Sequence, residues 1–264
     1  MRFATPLVLA AFGLAACSPA ASDSSASEPS GGAVVVYAAA SLQDAFEAIE
    51  AAYEEETGVE IVLSFDASSA LRTQISEGAP ADLFASADTS NPQQLVDDGL
   101  TDGDPQIFAS NALAIVMPAD CTGGVDSWQG MADPGVRVIA AGEDVPISGY
   151  ATELVDNLAA LPDAPEGFAE AYEANIVSRE DNVRAVLAKI EAGEGDVGVV
   201  YETDAASTEA VTDITFPEDA NVVAEYAFVV LADASESTDA FADWLAGPDA
   251  RAILEEFGFR PPAT

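Results

Sequence analysis

A chain of 264 residues with 49% hydrophobic content can bury one large core or two modest ones. Its 47 acidic and 8 basic residues give a formal net charge of −39, which excludes nucleic acid and anionic lipid as partners of its surface. The absence of histidine removes Ser-His-Asp and Cys-His catalysis and the usual zinc cluster.

Residues 1–16 read as a leader, with Arg2 as the basic start and an apolar run from Pro6 to Ala16 that is too short to span a bilayer. Leu14-Ala15-Ala16-Cys17 then has the form of a bacterial lipobox, so Cys17 is expected to carry lipid. Cys121 would then be the remaining thiol, with no intrachain disulfide. After Cys17, residues 18–32 are Ser, Ala, Pro and Gly with two acids, and 17–32 are set as one segment. They predict a disordered tether that spans roughly 20–25 Å and holds a soluble domain clear of the membrane. The acidity is read as adaptation to a salty medium, because the acids are scattered and form no Asp-x-Asp-x-Asp-Gly calcium loop.

Val34-Val35-Val36-Tyr37 predicts a buried strand. Leu42, Phe46, Ile49 and Tyr53 predict a helix to Thr57, with Ser41 as its N-cap and Gly58 as its stop. A second strand is expected at Val59 to Phe65, a helix from Ser68-Ser69 to Gly78, and a third strand at Ala81 to Ala85. A helix then runs from Asn91-Pro92 to Gly99. Ala112 to Met117 predicts a long buried strand, and Pro118 to Gly135 a turn-rich segment. A second series begins with a strand at Val136 to Ala140, a helix over Gly149 to Ala159, and a helix after Asp181-Asn182. Strands follow at Val197 to Tyr201, Val211 to Phe216 and Val222 to Leu231, then helices at Thr238 to Leu245 and Pro248 to Phe257. No internal repeat is evident. The alternation predicts an α/β fold of two lobes joined by crossing strands, each lobe a mixed, mostly parallel sheet flanked by helices. The boundaries are set at 33–111 with 226–264 for lobe 1, and 112–225 for lobe 2.

The chain offers little catalytic chemistry. Cys121 lies beside Asp120 without a base, no Gly-rich phosphate loop is present, and the six tyrosines form no neighbouring pair in sequence that would suggest ferric-ion ligation. It does offer serine-bearing helix starts at Ser41, Ser68-Ser69 and Ser148, and a fourth start at Asp181-Asn182-Val183. Hydroxyls and first-turn amides make a shell of uncharged donors, suited to a fully ionised tetrahedral dianion that only accepts. Such a shell disfavours protonated phosphate, whose hydroxyl needs an acceptor.

Val36-Tyr37-Ala38-Ala39-Ala40-Ser41-Leu42, Phe65-Asp66-Ala67-Ser68-Ser69-Ala70-Leu71 and Gly78-Ala79-Pro80-Ala81-Asp82-Leu83-Phe84-Ala85-Ser86-Ala87-Asp88 resemble the substrate-binding proteins of bacterial molybdate ABC importers. Asn182-Val183-Arg184, Gly198-Val199-Val200-Tyr201-Glu202-Thr203-Asp204-Ala205 and Gly258-Phe259 continue the match, which covers about residues 33 to 260. The resemblance implies a type II periplasmic-binding-protein fold that closes on molybdate, with tungstate as a second ligand, and an ABC permease as partner. Together with the lipobox, the expectation is an exported, monomeric lipoprotein with no catalytic activity and no cofactor. Ser41 and Ser68 would donate hydroxyl and amide hydrogens, Val183 its amide and Tyr201 its hydroxyl. A further amide would come from Pro146-Ile147-Ser148-Gly149-Tyr150, where Ile147 holds the donor position and Ser148 is the alternative. Asp66 stands where the family carries a small neutral residue, so it is expected to point away from the anion. Arg72 and Arg184 are expected to pair with acids. Receptors for sulfate or phosphate on the same fold, an enzyme on a related two-lobe scaffold, and an adhesion domain without ligand are the rival readings.

Overall fold

The structure, a computed structural model, describes residues 32–120 and 124–262. The expected leader, the expected lipidation site Cys17, the expected tether as far as residue 31, and Cys121 lie outside these residues.

β-branched residues pack well on a pleated surface, and the run of valines forms β1 (Val34–Ala39), whose Val34, Val36 and Ala38 are completely buried. A 3-10 turn (Ala40–Leu42) leads into α1 (Gln43–Thr57), which ends at Gly58 with φ 72° in the left-handed region. There follow β2 (Ile61–Asp66), α2 (Ser68–Ser76), β3 (Leu83–Ser86), α3 (Ser90–Asp97) and β4 (Gln106–Asn111). The chain crosses at Ala112 into β5 (Leu113–Pro118), then β6 (Val138–Ala141), α4 (Pro146–Ala159), α5 (Phe168–Ala174) and β7 (Ile176–Glu180). α6 (Val183–Glu191), β8 (Val197–Tyr201), α7 (Glu202–Ala206) and β9 (Val211–Ile214) complete this half. β10 (Ala224–Val230) returns to the first half, followed by α8 (Glu236–Leu245) and α9 (Pro248–Glu256).

The two five-stranded sheets have the orders β2-β1-β3-β10-β4 and β7-β6-β8-β5-β9. In each, the first three strands are mutually parallel. The crossing strand, β10 in one sheet and β5 in the other, lies antiparallel between its two neighbours. Both sheets are therefore mostly parallel, with one reversed strand each. The second crossing is complete by Ala224, so the expected boundary at 225/226 falls inside β10.

Several elements depart from the sequence expectation. β4, α5, β7 and α7 were not anticipated, and α4 begins at Pro146, three residues before Gly149, because proline fits the first helical turn. The crossing strands are tied where they meet: Leu113 N–H donates to Asn221 Oδ1 at 3.1 Å, and Asn221 Nδ2 donates to the Leu113 carbonyl at 3.0 Å. Close packing of α6 on its sheet needs the missing side chain of Gly198. A Cβ there would meet the Ile139 carbonyl oxygen at 3.1 Å and Val186 Cγ1 at 3.2 Å.

Candidate functional site

The first amides of a helix have no carbonyl four residues back to bond, so a strand that ends at a helix start delivers free donors. β1, β2, β6 and β7 each lead into such a start, and β8 ends on Tyr201. A small cavity between the lobes gathers all five predicted residues, Ser41, Ser68, Ile147, Val183 and Tyr201. Its other walls are Ala39, Ala40, Ala67, Ala87, Val145, Pro146 and Asn182. Alanines let an anion approach the backbone closely. Among the described residues, no charged side chain lines the cavity.

Ser41 is not the N-cap expected. It sits within the 3-10 turn, α1 starts two residues later, and the turn has no side-chain cap. Its hydroxyl instead meets that of Tyr226, with the oxygens 3.0 Å apart. Ser68 opens α2 as expected, and its Oγ accepts from the Ala87 amide at 3.0 Å, outside its own helix. At α4, Pro146 has no N–H and Ser148 N–H donates to the Val145 carbonyl, which leaves Ile147 as the free amide of the turn. The Ser148 hydroxyl is directed away, donating to the carbonyls of Ala141 (3.0 Å) and Gly142 (2.7 Å). Of the two alternatives, Ile147 lines the cavity and Ser148 does not. At α6, Asn182 is the N-cap, its Oδ1 accepting from Ala185 N–H at 3.0 Å, and Val183 follows as the first helical residue.

Tyr201 is 1% exposed, and among the described residues its hydroxyl has no hydrogen-bond partner. Burial pushes this phenol well above its ordinary pKa, and Tyr226, Tyr150, Asp204 and Asp88 push the same way. It therefore keeps its proton, as a donor without an acceptor. The tyrosines, scattered in sequence, cluster in space: the Tyr201 ring lies 5.6 Å from Tyr226 and 6.5 Å from Tyr150, centre to centre. The sequence reading missed this group because its members are far apart along the chain.

Asp66 lies outside the cavity, on a wider cleft mouth of about 980 Å³ that also holds Arg72, Asp88 and Asp181. Its Oδ1 accepts from Ala67 N–H at 2.8 Å and from Asn182 Nδ2, across the cleft, at 3.3 Å. Arg72 departs from expectation: its Nε donates to Asn91 Oδ1 at 3.0 Å, and among the described residues it forms no ion pair to an acid. Arg184 does pair with acids, Asp44 of the first lobe at 2.6 Å and Asp204 at 3.0 Å. Burial works against the charge of Arg184, but the two carboxylates outweigh it. Burial pushes Asp204 up to about 6, against the pull of Arg184 and the Tyr201 amide. Neither arginine lines the small cavity.

A family model described as bacterial extracellular solute-binding protein matches residues 34–260. The molybdate-binding protein ModA of Mycobacterium tuberculosis H37Rv is 37% identical over 256 residues, covering 95% of this chain and 94% of that protein. The molybdate-binding protein ModA of Escherichia coli K12 is 36% identical over 239 residues, 86% of this chain and 89% of that one. Among solved structures, the periplasmic molybdate-binding protein of Azotobacter vinelandii superposes with a TM-score of 0.72 at 24% identity, over 87% of this chain and 100% of that one. The sulfate-binding protein SubI of Mycobacterium tuberculosis H37Rv shares the fold too, with a TM-score of 0.76 at 24% identity over 88% and 87% of the two chains.

Proposed function

The chain belongs to the bacterial extracellular solute-binding proteins, in the branch that holds the molybdate-binding proteins, and from that membership we propose that it captures molybdate between its lobes and delivers it to an ABC permease. The observation that carries this reading is the partnerless, buried Tyr201 hydroxyl in a cavity of serines and free helix amides. A donor that has given up water and found no acceptor is costly, and an oxyanion oxygen is the acceptor it lacks. Uncharged donors can hold a dianion because dipoles fixed in a dry cleft are worth far more than in water. Tungstate, of the same shape and charge, is a second ligand. Sulfate is smaller, and a cleft that cannot shrink leaves its oxygens short of one lobe's donors.

The protein acts as a receptor without catalytic turnover and without a cofactor. It works as a monomer, exported and held to the outer face of a membrane by lipid on Cys17. Replacing Cys17 by Ala releases the protein into the medium if that anchor is real, and leaves its location unchanged if it is not. Calorimetric titration with molybdate, tungstate, sulfate and phosphate tests the ligand. Tight molybdate and tungstate binding is expected, and tight sulfate or phosphate binding with no molybdate heat overturns the choice.

A further inference from the structure

A carboxylate that gives up its water needs a compensating charge nearby, and taking that charge away leaves it stranded. Asp204 is such a group, completely buried on α7, just after the strand that ends on Tyr201. Its Oδ2 accepts from the Tyr201 N–H at 3.4 Å. Its Oδ1 lies 3.0 Å from Arg184 Nε on α6. Among the described residues neither of those two atoms has a hydrogen-bond partner, so the contact is an ion pair held by charge. Both members belong to lobe 2, and the pair does not depend on lobe 1. The guanidinium fork has further hydrogens to give, and Arg184 Nη2 donates to Asp44 Oδ2 at 2.6 Å. Asp44 belongs to lobe 1, in the first turn of α1 close after Ser41, and Arg184 directly follows Val183. The contact therefore joins the lobes beside one anion-binding residue of each. Neither Asp44 nor Arg184 lines the anion cavity; both line a neighbouring cleft that shares Ser41 with it. Their side chains are 42% and 26% exposed, so water reaches this contact and it can break as the lobes part.

We propose that Arg184 is a positioning residue for anion capture: anchored in lobe 2 by buried Asp204, it clasps Asp44 of lobe 1 on closure and so keeps Ser41 and Val183 together around the bound oxyanion. Asp204 holds the guanidinium in place, and Asp44 is the half of the clasp that closure brings to it. The clasp acts on release. It has to break before the lobes separate, whereas an entering anion meets the lobes apart. A carboxylate acting only through its charge would have the opposite effect: it would repel the dianion, and removing it would tighten binding. This inference rests on the oxyanion reading of the site.

The test is stopped-flow measurement of molybdate and tungstate association and release at about pH 8, where Asp204, lifted by burial to about 6, is ionised. Four proteins are compared: wild type, Asp44→Asn, the pair Arg184→Met with Asp204→Asn, and all three changes together. The paired change removes both members of the buried ion pair, so no charge is stranded. D44N is expected to speed the release of both anions about three- to tenfold, and to change association less than about twofold. In the R184M/D204N background the same change is expected to speed release less than about twofold, because Asp44 has lost its partner. Unchanged or slower release in D44N overturns the inference, and so does an undiminished effect in the paired background. Should the paired variant fail to fold, the direction of the D44N effect decides alone. If the wild-type protein binds neither anion, the oxyanion reading itself fails and takes this inference with it, and the wild-type measurement alone reveals that.

Discussion

The five residues expected to hold the anion differ in the hydrogen bonds they make within the protein, and that difference separates binding from stability. Among the described residues the Tyr201 hydroxyl has no partner, so Tyr201→Phe removes the proposed anion donor without stranding a partner. Molybdate affinity should fall about ten- to a hundredfold, while the ligand-free protein melts at the same or a higher temperature. Ser68→Ala behaves differently, because it strands the Ala87 amide that now donates to Ser68. It should cost about 1–3 kcal/mol of stability as well as affinity, read by thermal unfolding and calorimetry. Asp204 carries a pH signature. Its carboxyl ordinarily titrates near 3.8, and burial lifts it to about 6 in the folded chain. Between those values the folded state holds a proton that the unfolded state has lost, so this group's contribution to stability falls as pH rises through that window and levels off above it. Asp204→Asn abolishes that part of the profile. The stability difference between wild type and variant should change by at most about 3 kcal/mol from pH 4 to pH 6.5, with the wild type relatively weaker at the higher pH.

The elements repeat where the sequence does not. β1 leads to Ser41 as β6 leads to Ile147, β2 to Ser68 as β7 to Val183, and β3 to Ala87 as β8 to Tyr201. Equivalent places hold unlike residues because several donors are main-chain amides, which any non-proline side chain can accompany. Packing beneath them is less permissive. Gly198→Ala should push α6 off the sheet, cost about 1–3 kcal/mol and weaken molybdate by shifting the Val183 amide. Gly149→Ala, in α4 with open space around the added carbon, should stabilise by about 0.5–1 kcal/mol. Parallel thermal unfolding of the two variants checks both. The helix start at Val183 could be read from the sequence because Asn182 caps it and capping is local chemistry, whereas α2 starts at Ser68 with no side-chain cap. The edge strand β7 could not: its Ser178, Arg179 and Glu180 break any apolar pattern, and an edge strand needs only one buried face. β4 was hidden for a similar reason, since Gln106 and Ile107 are exposed while Ser110 and Asn111 are buried through hydrogen bonds. The contact of Tyr226 with Ser41 could not be read from the sequence either, because the two lie 185 positions apart.

At the scale of the whole molecule, closing two acidic lobes on a dianion works against mutual repulsion. Scarce cations stand at the seam: Arg184 reaches Asp44 and Arg260 reaches Glu202 from one lobe to the other. Long-range repulsion remains, and salt screens it over about 10 Å at 0.1 M. The association rate for molybdate should therefore rise with sodium chloride between about 0.05 and 0.5 M, opposite to a cationic site, and stopped-flow fluorescence reads it. The strand inserted fourth in each sheet also dictates an order of assembly. The second sheet draws all its strands from residues 113–214, whereas in the first β4 neighbours nothing but β10, which starts at residue 224. As the chain is synthesised from its amino end, the later half can zip up while the earlier one waits with two raw edges. The late strand that joins those edges carries Tyr226, the hydrogen-bond partner of Ser41, so the support behind one wall of the cavity is among the last parts of the molecule to be laid.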